Sequence, residues 1–115
     1  MVDQSPMTVD VTTEGGDTII KPDGDIDLAS SPMLRNKLRE SLENASDRVI
    51  VDLSAVPYMD SSGVATLVEL LQSCRRDSLD LILCQLNERV MSVFQIARLD
   101  GVFTIKGSLE DARGA

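Results

Sequence analysis

The chain has 115 residues, of which 19 are acidic and 11 are basic, and its formal net charge is -8. This length is typical of one compact domain, and a composition of 43% hydrophobic and 26% charged residues excludes a disordered or fibrous protein. The acidic surface repels phosphate backbones and anionic lipid, so the charge argues against nucleic-acid binding and membrane-surface binding.

The chemistry available to the chain is narrowed by the absence of histidine. A histidine general base, a histidine-ligated zinc ion and a histidine phosphoacceptor are all excluded. Cys74 and Cys84 do not form a C-x-x-C pair, and we expect both to be buried, reduced thiols. No run approaches 18 consecutive apolar residues, and no basic start precedes an apolar run at the N-terminus. The sequence therefore predicts a cytoplasmic protein without metal, cofactor or membrane span.

The first predicted elements form an antiparallel hairpin. Residues 7–12 (MTVDVT) alternate between apolar and polar in the manner of a half-buried strand. The glycines that follow supply a tight reversal into a second strand at residues 18–24 (TIIKPDG). Pro22 cannot donate a ladder hydrogen bond, so we expect the second strand to end or to reach a sheet edge there. We expect residues 1–115 to form a single domain, with residues 1–5 as a flexible tail.

The first predicted helix covers residues 29–45 (ASSPMLRNKLRESLENA). Ser30 or Ser31 is placed to act as its N-cap, and Pro32 occupies the first helical position, where a missing N–H costs nothing. Apolar residues recur every four positions and give the helix one buried stripe. These residues are Leu34, Leu38 and Leu42.

The rest of the chain alternates short apolar strands with amphipathic helices. Strand-helix-strand units with short links imply parallel pairing and right-handed crossovers, so the sequence predicts an α/β fold with a mixed sheet. Asn87 and Ser108 are the expected N-caps of the last two helices. The predicted elements are a strand at 48–53, a helix from Val64 to Arg76, a strand at 79–84, a helix at 87–99, a strand at 101–105 and a helix at 108–114.

Two polar loops follow the second and third predicted strands. They are residues 22–27 (PDGDID) and residues 54–63 (SAVPYMDSSG). Sites in open α/β sheets collect at the carboxyl ends of the parallel strands. If the two strands are neighbours, the loops open at the same edge and place a serine hydroxyl in an acidic rim. The side chains expected to meet there are Asp25, Asp27, Asp60 and Ser61.

The serines of the second loop allow two interpretations. In the first, Ser61 simply caps the helix that follows. However, one cap needs one hydroxyl, whereas the loop supplies Asp60, Ser61 and Ser62, and the capping-box position holds Val64. Gly63 in the first helical turn is less favourable than alanine by roughly 0.5 to 1 kcal/mol, which is explained if another backbone or a partner approaches closely. In the second interpretation, the loop is therefore shaped so that a partner can reach its serines.

Phosphorylation suits this position better than catalysis. A catalytic serine needs a nearby base, and the chain offers no histidine and few lysines, so we expect no enzyme activity and no catalytic residue. A phosphate at a helix N-terminus gains N–H donors and a dipole contribution of about 0.3 to 1 kcal/mol. It also adds about -1.5 to -2 charges to an acidic surface. Phosphorylation of Ser61 is thus expected to leave the domain folded and to dissociate a protein complex.

The segments around these loops resemble a known family. Residues 24–38 (GDIDLASSPMLRNKL), 49–70 (VIVDLSAVPYMDSSGVATLVEL) and 99–105 (LDGVFTI) are similar to the STAS domains of bacterial anti-sigma factor antagonists, also called anti-anti-sigma factors. The D-S-S-G segment after an apolar strand is the most specific part of the match. The resemblance implies a single STAS domain, an α/β fold with a mixed sheet, an antiparallel N-terminal edge strand and about four helices packed mainly on one face.

The resemblance also implies a partner switch. The unmodified antagonist binds an anti-sigma factor with serine kinase activity and releases a sigma factor; phosphorylation dissociates the complex, and a serine phosphatase resets it. By position, Ser61 is the implied phosphoacceptor and Asp27 matches an acidic residue linked to recognition by the kinase. Asp25 stands where the family more often has glutamate. The remaining implied partner-binding residues are Asp60, Ser62, Gly63 and Val64. We expect a monomer when the protein is free.

Two other interpretations stay open at this level. A receiver-like domain phosphorylated on aspartate would use Asp52 or Asp60 together with Lys106, but the first strand lacks the acidic pair that would hold Mg²⁺. A STAS domain can also serve as a subunit or scaffold of a transporter or signalling assembly, without sigma-factor regulation. An acid-stable phosphate would exclude the receiver, and co-purification with a transporter ATPase would favour the scaffold.

Overall fold

The described part of the chain forms one sheet of five strands, with helices packed against it. In the computed structural model, which describes residues 7–115, the elements follow the order expected from the sequence. The elements are β1 (Thr8–Glu14), β2 (Asp17–Asp23), α1 (Ser31–Glu43), β3 (Arg48–Asp52), α2 (Ser61–Arg76), β4 (Asp80–Cys84), α3 (Glu88–Ile96), β5 (Thr104–Lys106) and α4 (Leu109–Arg113).

The predicted mixed sheet is confirmed by the pairing of the strands. β1 pairs antiparallel with β2 at the edge, and the pairs β2-β3, β3-β4 and β4-β5 are all parallel. The ladder between β2 and β3 ends at Ile20 and Val51. Pro22 lies beyond that point and pairs only with Val9 of β1, so its missing N–H interrupts no central ladder.

The two faces of the sheet are covered unequally. Helices α1, α2 and α3 bury their apolar stripes on one face, with Leu34, Leu67 and Phe94 fully enclosed. The short helix α4 packs through Ala112 on the opposite face, against strand residues such as Ile50. The expectation of about four helices mainly on one face is therefore confirmed, and α4 is the exception.

The N-caps of the last two helices, α3 and α4, are the residues expected from the sequence. Asn87 accepts a hydrogen bond from the N–H of Val90 at 2.8 Å, and Ser108 accepts one from the N–H of Asp111 at 3.0 Å. Helix α1 differs, because Ser30 at its N-cap makes no side-chain cap hydrogen bond. The N–H groups of Ala29 and Ser30 instead donate to the carboxylate of Asp27, which lies three positions before Ser30 in the loop.

The end of the sheet away from the two polar loops is tied together by charge. Arg48 forms a bidentate pair with the buried carboxylate of Asp17, with N–O distances of 2.8 and 3.0 Å. Arg113 of α4 contacts the same carboxylate at 3.3 Å and Glu14 at 2.6 Å. The hydrogen bond from Arg48 lowers the pKa of Asp17, although burial opposes it. This cluster fixes the C-terminal helix to β2 and β3.

The two cysteines lie in the interior of the protein. Cys74 and Cys84 are buried and free, as predicted, and burial raises the pKa of each thiol to about 11. The predicted tail at residues 1–5 lies outside the described residues. Within residues 7–115, no helix combines the length and the hydropathy that a membrane crossing requires. The same part of the chain contains no cluster of three or more potential metal ligands.

Candidate functional site

The two polar loops lie side by side at the carboxyl ends of β2 and β3. A parallel bridge between Ile26 and Met59 joins them past the end of the β2-β3 ladder. The N–H of Ile26 donates to the carbonyl of Tyr58 at 2.9 Å, and the N–H of Asp60 donates back to the carbonyl of Ile26 at 3.0 Å. The expectation that Asp25 and Asp27 lie near Asp60 and Ser61 therefore agrees with the structure, because each acidic residue flanks this bridge.

Helix α2 begins with Asp60 as its N-cap. One carboxylate oxygen of Asp60 accepts the N–H of Ser62 at 2.9 Å, the N–H of Gly63 at 3.4 Å and the hydroxyl of Ser62 at 2.5 Å. The hydroxyl contact is the largest cause of a lowered pKa at Asp60, and the N–H groups of Ser62, Gly63 and Leu28 add to it against the effect of burial. Asp60 is therefore an ionised cap at neutral pH.

This arrangement corrects two expectations about Ser61. The capping side chain is Asp60, and Ser61 is the first helical residue. A phosphate on Ser61 would also not find the N–H groups of Ser62 and Gly63 exposed, because the carboxylate of Asp60 already holds them. The sequence missed this because aspartate and serine are both good N-caps, and only the backbone path decides which of them occupies that position.

The two serines of the loop have different environments. Ser61 is exposed, and its hydroxyl makes no hydrogen bond with any residue in the range 7–115. Ser62 is half-buried, and its hydroxyl contacts both Asp60 and the hydroxyl of Ser31 at the start of α1. The Ser31 hydroxyl lies 2.7 Å from the carbonyl oxygen of Asp27. Ser62 is thus part of the internal contact between the loops, whereas Ser61 faces solvent.

Asp27 organises the first loop in the way that Asp60 organises the second. Its carboxylate accepts the N–H groups of Ala29 and Ser30, each at 3.0 Å. The hydroxyl of Ser30 returns to the loop and donates to the carbonyl of Asp25 at 2.8 Å. Asp27 is half-buried by these contacts, while Asp25 is exposed. One acidic side chain therefore shapes the loop and the other is available at the surface.

Gly63 and Val64 are buried beneath the site. A Cβ atom added to Gly63 would lie 2.6 Å from the Cγ2 atom of Ile26 and 2.6 Å from the Cγ atom of Met59. The close approach that explains this glycine is thus made by side chains of the same chain and not by a partner. Both positions support the surface of the site from within.

The sequence of the chain matches a known family over nearly its whole length. The STAS domain family matches residues 8–112, which is nearly the whole chain. The chain belongs to the STAS domain family. The anti-sigma-B factor antagonist of Bacillus subtilis is 33% identical over 104 residues, which cover 90% of this chain and 94% of that protein. This relative of the STAS domain is named as an anti-sigma factor antagonist, in agreement with the resemblance of the D-S-S-G segment.

Solved structures share the fold of this STAS domain. An anti-sigma factor antagonist from Mycobacterium paratuberculosis has a TM-score of 0.86 at 19% identity, with 99% of this chain and 97% of that chain covered. The anti-sigma factor antagonist SpoIIAA in its unphosphorylated form has a TM-score of 0.77 at 21% identity, with 94% and 98% covered. At these identities the comparison supports the arrangement of strands and helices.

Sequence reasoning missed several exposed apolar residues at the site of this STAS domain. Leu28 follows the half-buried Asp27 and is 78% exposed, although it is a leucine. Its backbone N–H is among the groups that lower the pKa of Asp60, so Leu28 lies near the start of α2. Tyr58 and Met33 are exposed as well. The available signal was an apolar residue between polar neighbours in "GDIDLASS". This signal is weak, because single exposed leucines are common on protein surfaces.

Proposed function

We propose that this STAS domain is an anti-sigma factor antagonist whose binding is switched by phosphorylation of Ser61. In the unphosphorylated state it binds an anti-sigma factor with serine kinase activity, and a sigma factor is released. Phosphorylation of Ser61 by that kinase dissociates the complex, and a serine phosphatase restores it. The domain itself acts by binding and carries no catalytic residue in this proposal.

The observation that carries the proposal is the exposed hydroxyl of Ser61 beside an ionised cap. A kinase must place a hydroxyl in line with the γ-phosphate of ATP, so the acceptor has to be free of competing contacts. Ser61 meets this condition, since its hydroxyl has no hydrogen bond within residues 7–115. Ser62 does not meet it, because its hydroxyl is held by Asp60. The structure thus supports Ser61 as the acceptor among the two serines.

The switch follows from where the new charge would lie. Asp60 already holds the N–H groups at the start of α2, so these donors cannot neutralise a phosphate on Ser61. The phosphate therefore adds about -1.5 to -2 charges to a surface that carries Asp25, Asp27 and Asp60. Against a partner carboxylate at about 4 Å, each unit charge costs up to roughly 4 kcal/mol at an effective dielectric near 20. A loss of only 3 kcal/mol lowers affinity by about a hundredfold.

The surroundings of Ser61 fit a protein partner. Leu28, Tyr58 and Met33 offer apolar contact area, and Asp25 offers an exposed charge close to it. Apolar anchors inside a polar rim are the usual composition of a protein interface. We propose that the partner contacts this surface directly and that Gly63 and Val64 act by supporting it. Asp27 and Asp60 keep both loops in the shape that the partner meets.

The proposal is tested by incubating the protein with ATP and its anti-sigma factor and mapping the phosphosite. Phosphate is expected on Ser61, and Ser61→Ala should remain bound to the anti-sigma factor in the presence of ATP. Ser61→Asp should weaken binding, measured by calorimetry, whereas Ser92→Asp on the exposed surface of α3 serves as a control for added charge. Phosphate on another residue, or full binding by Ser61→Asp, would contradict the switch. Co-purification with a transporter instead of an anti-sigma factor would favour the scaffold function.

A further inference from the structure

The hydroxyls of Ser31 and Ser62 meet at 2.9 Å between the N-termini of α1 and α2. Ser31 is almost fully buried, with 4% of its surface exposed. On one side the contact leads to Asp60, the cap of α2, and on the other side it leads to the loop that Asp27 shapes. These two hydroxyls thus form a side-chain connection between the two loops of the site, beside the backbone bridge of Ile26 and Met59.

The ionised carboxylate of Asp60 sets the direction of this connection. The hydroxyl of Ser62 donates to that carboxylate at 2.5 Å, so its only hydrogen is used there. The 2.9 Å contact between the serines then requires Ser31 to donate and Ser62 to accept. The same hydrogen of Ser31 also faces the carbonyl of Asp27 at 2.7 Å, so the Ser31 hydroxyl is shared between two acceptors. A head-to-tail chain therefore runs from Ser31 to Ser62 to Asp60, and the Ser31 hydroxyl also holds the loop of Asp27.

We propose that Ser31 is a positioning residue, which holds the start of α2 and its cap in register with the loop of Asp27. Hydrogen bonds in a chain that ends on a charge strengthen one another, so the loss of the first donor weakens the contact at its far end. The consequence is coupling: a change at the start of α1 alters the order of the segment that carries Ser61. Its importance for phosphorylation rests on the proposed function, whereas the coupling itself does not.

Helix α1 contains a matched control for this proposal. Ser41 is also buried, and its hydroxyl donates to the carbonyl of Lys37 at 2.7 Å, which repeats the contact of Ser31 with the carbonyl four residues earlier. Ser41 has no hydrogen bond to α2 among the described residues. The variants Ser31→Ala and Ser41→Ala therefore remove the same local contact from the same helix, and only the first removes the link between the loops. Alanine is also the best helix former, so both variants should fold.

The first measurement is amide hydrogen exchange by NMR in the free, full-length chain. The N–H of Ser62 is held by Asp60 across the site from Ser31, so it reports on coupling. Ser31→Ala should accelerate its exchange by about two- to tenfold, the range expected for one hydrogen bond, and Ser41→Ala should not. In a Ser62→Ala background, adding Ser31→Ala should change exchange at Gly63 less than it does in the wild type. Unchanged exchange at Ser62 in Ser31→Ala would overturn the coupling.

The second measurement is the rate at which the anti-sigma factor kinase phosphorylates Ser61. Because the exposed contact residues are untouched, Ser31→Ala should lower kcat by a similar factor while KM changes little, and Ser41→Ala should match the wild type. Faster exchange at Ser62 with an unchanged kcat would overturn the positioning role. If the kinase fails to phosphorylate the wild type, the proposed function fails, and the exchange experiment alone then decides whether the two loops are coupled.

Discussion

Gly63→Ala is the substitution whose effect the structure defines most sharply. The new Cβ would lie 2.6 Å from both the Cγ2 atom of Ile26 and the Cγ atom of Met59, about 1 Å closer than an ordinary carbon contact. Neither neighbour can retreat, since Ile26 and Met59 are 0% and 1% exposed. Overpacking of this kind costs about 2 to 3 kcal/mol, and the better helix propensity of alanine returns about 1 kcal/mol. The net loss expected in the free energy of unfolding is about 1 to 2 kcal/mol.

The assay is urea denaturation followed by circular dichroism. With a slope of about 1 to 1.5 kcal/mol per M, the midpoint of Gly63→Ala should fall by about 1 M. Gly101→Ala is the control, because a Cβ at that position meets no heavy atom within 4 Å and the substitution should be neutral or stabilising by about 0.4 to 1 kcal/mol. A Gly63→Ala protein as stable as the wild type would refute the reasoning that the core requires this glycine.

Three further perturbations probe the cap, the charge cluster and the thiols. Asp60→Ala should lower the free energy of unfolding by about 1 kcal/mol at neutral pH. Because the folded-state pKa of Asp60 lies below its ordinary value of 3.8, this stabilisation is present above that value and is lost as the pH falls through the folded-state pKa. Arg48→Met should cost about 3 kcal/mol, since it leaves the buried carboxylate of Asp17 with a single, longer contact. The thiols of Cys74 and Cys84, with pKa values of about 11, should react with a disulfide reagent only after denaturation.

Each of these expectations has a result that would contradict it. For the cap, the difference between Asp60→Ala and wild type should shrink in acid, and a constant difference from about pH 7 to about pH 3 would exclude an ionised cap. For the cluster, Arg76→Met removes a weak, exposed ion pair and should change stability by less than about 0.5 kcal/mol. An equal effect of the two arginine substitutions would show that burial of the Arg48 pair is irrelevant. Rapid labelling of the native thiols would contradict their enclosure.

Local patterns in the sequence were sufficient to predict the order of the strands and helices and the general position of the site, although the last strand, expected at 101–105, lies at Thr104–Lys106. Apolar periodicity separates strands from helices because side chains return to the same face every two residues in a strand and every 3.6 residues in a helix. The alternation of the two element types then implies parallel strands, whose carboxyl ends meet at one edge. The grouping of Asp25, Asp27, Asp60 and Ser61 followed from these rules without coordinates.

The tertiary structure decided which residue performs each task within that group. Asp60 caps α2 because the bridge between Ile26 and Met59 holds the chain extended up to that residue, and Ser61 is therefore the first helical residue. The same bridge fills the space that Gly63 leaves. The contact between Ser31 and Ser62 spans 31 positions of sequence, so no local pattern could indicate it.

The sequence by itself thus determined the order of the elements, the α/β architecture and the acidic edge where Ser61 lies, because these depend on composition and short-range periodicity. Only the tertiary structure decided that the Ser61 hydroxyl has no hydrogen bond within residues 7–115, that the Ser62 hydroxyl is engaged, and that Leu28 is exposed in the neighbouring loop. Those outcomes depend on which atoms of distant segments come within hydrogen-bonding or van der Waals distance, and such distances are set when the loops pack against each other.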